Sequence, residues 1–491
     1  MNADDTTRRD FLKTVGLGTL LIKPFASAQG TENGRPNILF CIADEWSWPH
    51  ASIAGDRIVR TPTFDAVARG GVLFQNAFVT APSCTPSRGS IVTGQWHWRL
   101  EEGGNLWSTL PAKFPVYPDL LEQAGYHVGC TRKGWGPGHD QPGGRTRNPA
   151  GPQFKDFRTF LQARPEGSPF CFWFGSTDPH RGYEWESGVK SGMRIEDVEV
   201  PPCLPDSEIV RKDLCDYYLE VQRFDREVGE LLDLLRATGE IDRTLVVVTG
   251  DNGLPFPRCK SNLYDGGTRV PLAMRWPARV KGGRVVEDFV SLQDLAPTFL
   301  EAAGLTPPAA MTGRSLLHIL VSDSAGRIDP ARDHILTGKE RHAWVRKGGL
   351  GYPCRAIRTR DFLYIRNFKP DRWPAGDPVA GGEPYYPNRG YGDIDDSPSK
   401  TYMMEHREEP DVRRLFELTF EKRPAEELYD LQKDPNQLHN VAADPAYGDI
   451  RGKLASTLMA ELRATGDPRV TGGGDAFDGY PYYGGRQPKS R

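Results

Sequence analysis

The chain has 491 residues, 38% hydrophobic and 26% charged, with 62 Lys+Arg against 65 Asp+Glu and a formal net charge of −3. That length excludes one small module and suits a large α/β domain with an appendage, and the charge balance excludes a polybasic nucleic-acid binder. No uninterrupted apolar stretch reaches the ~20 residues of a membrane span, and 53 glycines with 41 prolines forecast many loops.

The chain opens with Thr6-Thr7-Arg8-Arg9-Asp10-Phe11-Leu12-Lys13, a short apolar run from Thr14 to Ile22, and Ala26-Ser27-Ala28. Paired arginines, a weak apolar segment and a small-residue cleavage site read as a twin-arginine signal peptide over residues 1–30. The run is too short and too glycine-broken to remain as an anchor. The mature chain is therefore expected in the periplasm or another extracytoplasmic space, with the Tat export machinery as a partner. That route carries folded proteins, which points to a site completed before export. The eight cysteines show no CxxC pair or regular spacing, so they are not a disulfide framework. Cys41, Cys130 and Cys171 lie in or beside apolar runs as small hydrophobes; Cys84 does not.

Four short apolar runs predict buried parallel strands: Asn37–Ala43, Tyr126–Cys130, Pro169–Phe174 and Leu245–Thr249. Helical spacing lies between them, over Thr63–Arg69, Val116–Ala124 and the long Lys212–Thr238. Alternating β and α elements imply a doubly wound α/β sheet. The strands run into Asp44-Glu45, Arg132-Lys133, Asp178-Pro179-His180 and Asp251-Asn252 respectively. Ligands of open α/β sheets bind outside the carboxyl ends of the strands. One such polar residue is an ordinary loop residue; four strands ending this way describe an active site.

Ser83-Cys84-Thr85-Pro86-Ser87-Arg88-Gly89-Ser90-Ile91-Val92-Thr93-Gly94 follows the first strand and helix. Pro86 suits a first helical turn, which puts Cys84 at a helix N-terminus, where amide donors favour an anion. Arg88, four residues on, returns to the same face. A nucleophile, an anion hole and a guanidinium together suit a tetrahedral oxyanion such as sulfate or phosphate. The plainer alternative is a buried structural cysteine.

The Cys84 segment resembles the C-x-P-S-R signature of the type I, formylglycine-dependent sulfatases. Ala43-Asp44-Glu45, Thr249-Gly250-Asp251-Asn252-Gly253, Ser291 to Thr298, Gly313-Arg314-Ser315-Leu316-Leu317 and the later Glu427-Leu428-Tyr429-Asp430-Leu431 extend the likeness. Asp178-Pro179-His180-Arg181 and the stretch from Asp251 to Tyr264 are most similar to the heparan N-sulfatase (sulfamidase) branch. The resemblance implies an alkaline-phosphatase-like, doubly wound mixed sheet with a smaller C-terminal α+β domain. It also implies a sulfatase that acts on a saccharide, with the N-sulfo group of glucosamine favoured, as in glycosaminoglycan degradation.

By the same resemblance, Cys84 is oxidised to formylglycine by a formylglycine-generating or equivalent maturation enzyme. One hydroxyl of its hydrate attacks sulfur, and loss of a proton from the other expels sulfate. Asp44, Glu45, Asp251, Asn252 and the modified residue 84 would hold a hard cation, Ca²⁺ with Mg²⁺ as the alternative. Lys133 and Arg88 would offset charge on the transferring group. His180 would protonate the leaving group or bind sulfate, and Lys260 would bind substrate. Three positions depart from the pattern: Glu45 replaces an aspartate, Trp135 replaces a histidine, and Lys260 replaces an arginine. Trp135 transfers no proton, so that role is unfilled or falls to His180 or His139.

From about residue 346 the pattern changes, which divides the chain into residues 1–30, 31–345 and 346–491. Arg355 to Ile365 reads as a hairpin. A Pro/Gly/Tyr-rich loop from Pro370 to Ser399 carries Trp373, Tyr385, Tyr386 and Tyr391, which either stack on sugars or pack on the surface. Asp393-Ile394-Asp395-Asp396 lacks the glycine and distal glutamate of an EF-hand. An amphipathic helix over Ile450–Ala464 is expected to dock this part on the first, before a Gly- and Tyr-rich tail. The same residues also suit an O-sulfatase, a phosphonate or phosphodiester hydrolase of the same fold, or a saccharide-binding relative in which Cys84 is never modified.

Overall fold

Strand β1 (Asn37–Ala43) is buried from end to end and divides its side chains between two cores. Leu39, Cys41 and Ala43 enter one, and Ile38, Phe40 and Ile42 the other. A strand apolar on both faces needs cover on both, so the sheet lies between two layers of helices. The computed structural model describes residues 34–379 and 390–484; the twin-arginine segment, Tyr385 and Tyr386 lie outside the described residues.

The other strands of the large sheet are β2 (Val72–Phe78), β3 (His127–Arg132), β4 (Phe170–Gly175), β5 (Thr244–Gly250), β6 (Leu272–Arg275) and β7 (Arg284–Ser291). Their order is β3-β4-β1-β5-β6-β2-β7, with β6 alone antiparallel to its neighbours. Ile38 pairs with Cys171 on one side and Leu245 on the other, so β3, β4, β1 and β5 form a continuous parallel block whose carboxyl ends share one edge. This is the doubly wound mixed sheet expected from the sequence. Glu208–Ala237, a 30-residue helix, covers one face with Leu214, Val221, Val228 and Leu235. The helices Cys84–Thr93, Tyr117–Gln123 and Leu295–Ala302 cover the other.

A second, antiparallel sheet contains β8 (His334–Lys339), β9 (Cys354–Thr359), β10 (Phe362–Asn367) and β11 (Glu426–Asp430), in the order β11-β10-β9-β8. The expected hairpin is β9–β10. Strand β8 precedes residue 346, so the second sheet begins before the change of pattern seen in the sequence. The helix Gly448–Ala464 lays Leu454, Leu458 and Leu462 against Leu336, Ile357, Tyr364 and Leu428 of this sheet, with Trp98 beside them. It therefore serves mainly as the small sheet's own cover.

Gly175, at the end of β4, faces the backbone of Lys133 so closely that an added Cβ would collide with the Lys133 carbonyl. The Lys133 N–H donates to the Gly175 carbonyl at 3.0 Å. Gly175→Ala is expected to force these strand ends apart and destabilise the fold by about 1–3 kcal/mol. Thermal unfolding checks this: an unchanged melting temperature would show that the two ends are not closely docked.

Candidate active site

Each strand of the parallel block delivers polar groups to the shared edge. Asp44 and Glu45 follow β1, Lys133 follows β3, His180 lies beyond β4, and Asp251 and Asn252 follow β5. Glu45 has φ of 76°, a left-handed conformation unfavourable for a residue with a Cβ. Its N–H donates to Asp251 Oδ1 at 3.0 Å, which fixes this turn. The Asp44 N–H donates to the Asp178 carbonyl at 2.8 Å, joining the ends of β1 and β4.

Cys84 is the first residue of its helix, after Ser83 in extended conformation. Its Sγ lies 3.4 Å from Asp44 Oδ1 and 3.7 Å from Asn252 Nδ2. Burial pushes the thiol well above its ordinary pKa, and nearby Lys133 does not reverse this; the encoded residue is a thiol, not a thiolate nucleophile. Arg88 returns to the same face as expected. Its Nε donates to Asp251 Oδ2 at 2.6 Å, and Nη1 donates to the carbonyls of Lys133 and Gly134 at 2.8 and 2.9 Å. Lys133 Nζ lies 2.5 Å from Asp44 Oδ2. Burial opposes ionisation of Asp44, yet the charges of Lys133, His180 and Arg88 outweigh it and hold the carboxyl below its usual range. Burial raises the carboxyl of Asp251 despite Arg88.

The donor chemistry fits a hard cation. Single donor atoms of Asp44, Glu45 and Cys84 lie within 4.8 Å of one another, and Glu45 Oε2 is buried without a hydrogen-bond partner. Asp251 and Asn252 adjoin this group, and Asn252 Nδ2 donates to Asp251 Oδ1 at 2.8 Å. Glu45, His180 and Asp395 form a second cluster of that size. Here the protein supplies its own cation: Lys260 Nζ contacts Glu45 Oε1 and lies 2.9 Å from Asp395 Oδ2. Lys260 is thus placed between Glu45 and Asp395.

His180 Nδ1 lies 3.1 Å from the Arg181 carbonyl, and Nε2 lies 3.7 Å from Glu45 Oε1. A carbonyl accepts, so Nδ1 carries a proton and Nε2 is the nitrogen turned to the site. The rest of that motif is structural. Asp178 accepts from Arg223 of the long helix, at 2.9 Å from Nη2. Arg181 pairs with Asp213 and stacks over Phe256 at 4.1 Å. Trp135 belongs to the core, with its backbone N–H and carbonyl bonded to the Asn148 side chain. His139 is exposed beside the Tyr483 ring. Trp373 and Tyr391 are packing residues: Tyr391 is buried against Phe416 and Phe420, and Trp373 lies against the same core.

Two residues beside the site were not singled out as such in the sequence. Asp395 sits in the acidic run recognised only as unlike an EF-hand. His342, buried, reaches Ser83 Oγ through Nδ1 at 2.8 Å; burial pushes its pKa down to about 3, so the ring is neutral. A histidine in Glu340-Arg341-His342 carries no local motif that would expose this contact.

The sulfatase family model matches residues 36–148 and 151–305, and a model described as N-sulphoglucosamine sulphohydrolase, C-terminal, matches 259–373. The human N-sulphoglucosamine sulphohydrolase is 30% identical over 496 residues, covering 90% of this chain and 93% of that protein. A solved structure in complex with its substrate D-glucosamine-2-N,6-O-disulfate superposes with a TM-score of 0.65 at 18% identity, covering 89% of this chain and 99% of that one. The phosphonate monoester hydrolase of Silicibacter pomeroyi gives a TM-score of 0.64 at 17% identity, covering 89% and 97%. Together with the strand-edge site and the Cys84 helix, these matches establish that the chain is an enzyme of the sulfatase family.

Proposed function

We propose that this sulfatase removes the N-linked sulfo group of a glucosamine unit in a glycosaminoglycan-type saccharide. It does so after Cys84 is matured to formylglycine and a divalent cation, Ca²⁺ in the first instance, is bound by Asp44, Glu45, Asp251, Asn252 and residue 84. Export by the twin-arginine route to an extracytoplasmic space belongs to the same reading. The observation that carries it is the placement of Cys84: first in its helix, 3.4 Å from Asp44, with Arg88 and Lys133 bonded to the acids around it. The N-sulfo preference rests on the human relative and on the C-terminal model.

Residue 84 as the aldehyde hydrate would supply the nucleophilic hydroxyl, and a cation held by Asp44, Glu45, Asp251 and Asn252 would supply Lewis acidity toward the sulfo group. Arg88 and Lys133 offset charge on the transferring group, in positions set before substrate arrives. His180 Nε2 delivers a proton to the departing nitrogen or oxygen. Lys260, held between Glu45 and Asp395, presents an ammonium to the sulfated sugar, and Asp395, 35% exposed, accepts from sugar hydroxyls. A phosphonate or phosphodiester hydrolase is the second reading, favoured by the tetrahedral-oxyanion chemistry of Arg88 and Lys133 and by the fold likeness to a phosphonate monoester hydrolase.

Mass spectrometry of the peptide bearing residue 84 is expected to show the aldehyde, and Cys84→Ala to abolish turnover with the fold retained. An unmodified cysteine in active protein, or robust sulfate release by the variant, would overturn the mechanism.

Chelation is expected to inactivate the enzyme and Ca²⁺ to restore it, because the proposed ligands are all hard oxygens once residue 84 is formylglycine. Full activity in protein shown to be metal-free by elemental analysis would refute the ligand set.

Sulfate release is expected from N-sulfoglucosamine in preference to 6-O-sulfated N-acetylglucosamine. Release from the O-sulfated sugar alone would reassign the enzyme as an O-sulfatase, and faster phosphate than sulfate release from aryl esters would favour the second reading. His180→Ala is expected to slow hydrolysis of the natural sugar by about 10²–10⁴-fold, and that of an activated aryl sulfate far less, since an aryl leaving group departs without a proton. Equal losses on both substrates would remove His180 as the acid.

A further inference from the structure

The loop after β5 that carries Lys260 and Asn262 also carries Cys259, a thiol with no part in the chemistry above. Cys259 Sγ lies 3.9 Å from Cys203 Sγ, on the segment that leads into the long helix Glu208–Ala237. The two residues are 56 positions apart. Gly266 packs closely on the other side of Cys259: a Cβ there would approach its sulfur to 2.6 Å. Cys203 is partly buried, and both cysteines line a cavity of about 630 Å³ bounded also by Trp48, Tyr218 and Arg269. A small oxidant therefore has a way in. The Cys259 contact draws the Cys203 thiol below its ordinary pKa, which marks Cys203 as the attacking sulfur.

We propose that Cys203 and Cys259 are a modification site: oxidised by a disulfide-bearing reagent, they form an intrachain disulfide that ties the Lys260 loop to the base of the long helix. The Cys203 thiolate attacks one sulfur of the oxidant, forming a mixed disulfide and releasing one thiol. Cys259, giving up its proton, attacks Cys203 and expels the second thiol. Two electrons and two protons leave the pair, and one external disulfide becomes two thiols. Bond formation requires the sulfurs to close from 3.9 Å to about 2.05 Å, a shift on the scale of side-chain rotation. The inference goes beyond the proposed function, and its test involves no turnover.

The full chain is incubated with glutathione disulfide or with reduced glutathione, alkylated, and digested without reduction for mass spectrometry. The expected result is a cross-linked Cys203–Cys259 peptide in the oxidised sample, loss of alkylation at those two positions alone, and a melting temperature higher by about 5 °C. Cys203→Ser is expected to lose both the cross-link and the shift; the wild-type mapping decides the matter without it if that variant fails to fold. Alkylation of both cysteines after oxidation of the native protein, or arrest at a glutathione adduct on Cys203, would overturn the proposal.

Discussion

Three strand ends and one helix meet at the guanidinium of Arg88, and the site depends on that meeting. The side chain is wholly buried, so its donors need protein acceptors. Asp251 after β5 takes Nε, the carbonyls of Lys133 and Gly134 after β3 take Nη1, and Nη2 lies 3.8 Å from Asp44 after β1. A lysine would place one point charge there; the planar fork of arginine reaches several directions at once. Burying such an ion pair costs desolvation that its Coulomb attraction only partly offsets. What the arrangement secures is position: Cys84, one turn earlier on the same helix, is held against the carboxylates that surround it.

Charge explains why so many ionisable groups tolerate burial together. Asp44, Glu45, Asp251 and Asp395 face Arg88, Lys133 and Lys260, which leaves one excess negative charge on this cluster. A divalent cation would turn that excess positive, the sign that a sulfate ester or sulfamate requires. His342 leaves the balance unchanged because its buried ring is neutral. Lys260 answers two carboxylates at once, so Asp395 and the acidic pair after β1 are linked through one ammonium.

The parallel block was legible because β1, β4 and β5 are unbroken apolar runs, and residues at their ends become neighbours once the strands align. The rest of the large sheet was hidden by its own composition. Strand β2 carries Gln75 and Asn76 at a register shift, β6 has four residues, and β7 is interrupted by Glu287 and Asp288; Asp288 is buried, accepting from the backbone of Ile328 and Asp329. Asp395 and His342 reach the site from after the start of the second sheet, a tertiary approach that no local spacing encodes. Asp178 and Arg181 show the converse: a conspicuous motif of which only His180 faces the site, because the flanking charges fasten its loop to Arg223 and Asp213.

Two of the three departures from the family pattern, Glu45 and Lys260, are in direct contact. Glu45 is one methylene longer than aspartate, and one of its carboxylate oxygens meets Lys260 while the other remains without a partner. An arginine at 260 would bring a planar fork where Glu45 and Asp395 converge on a compact ammonium. Trp135 fills space in the core beside Gly89, which removes an imidazole from that side of Cys84. Of the described histidines considered for the vacant role, His139 lies at the surface and His342 is neutral and bonded to Ser83. His180 has Nδ1 committed to a backbone carbonyl and Nε2 facing Glu45, which is why the proposed mechanism gives it the role. Glu45, His180, Asp395 and Lys260 are thus neighbours, and in the proposed mechanism leaving-group protonation and sugar recognition share that wall.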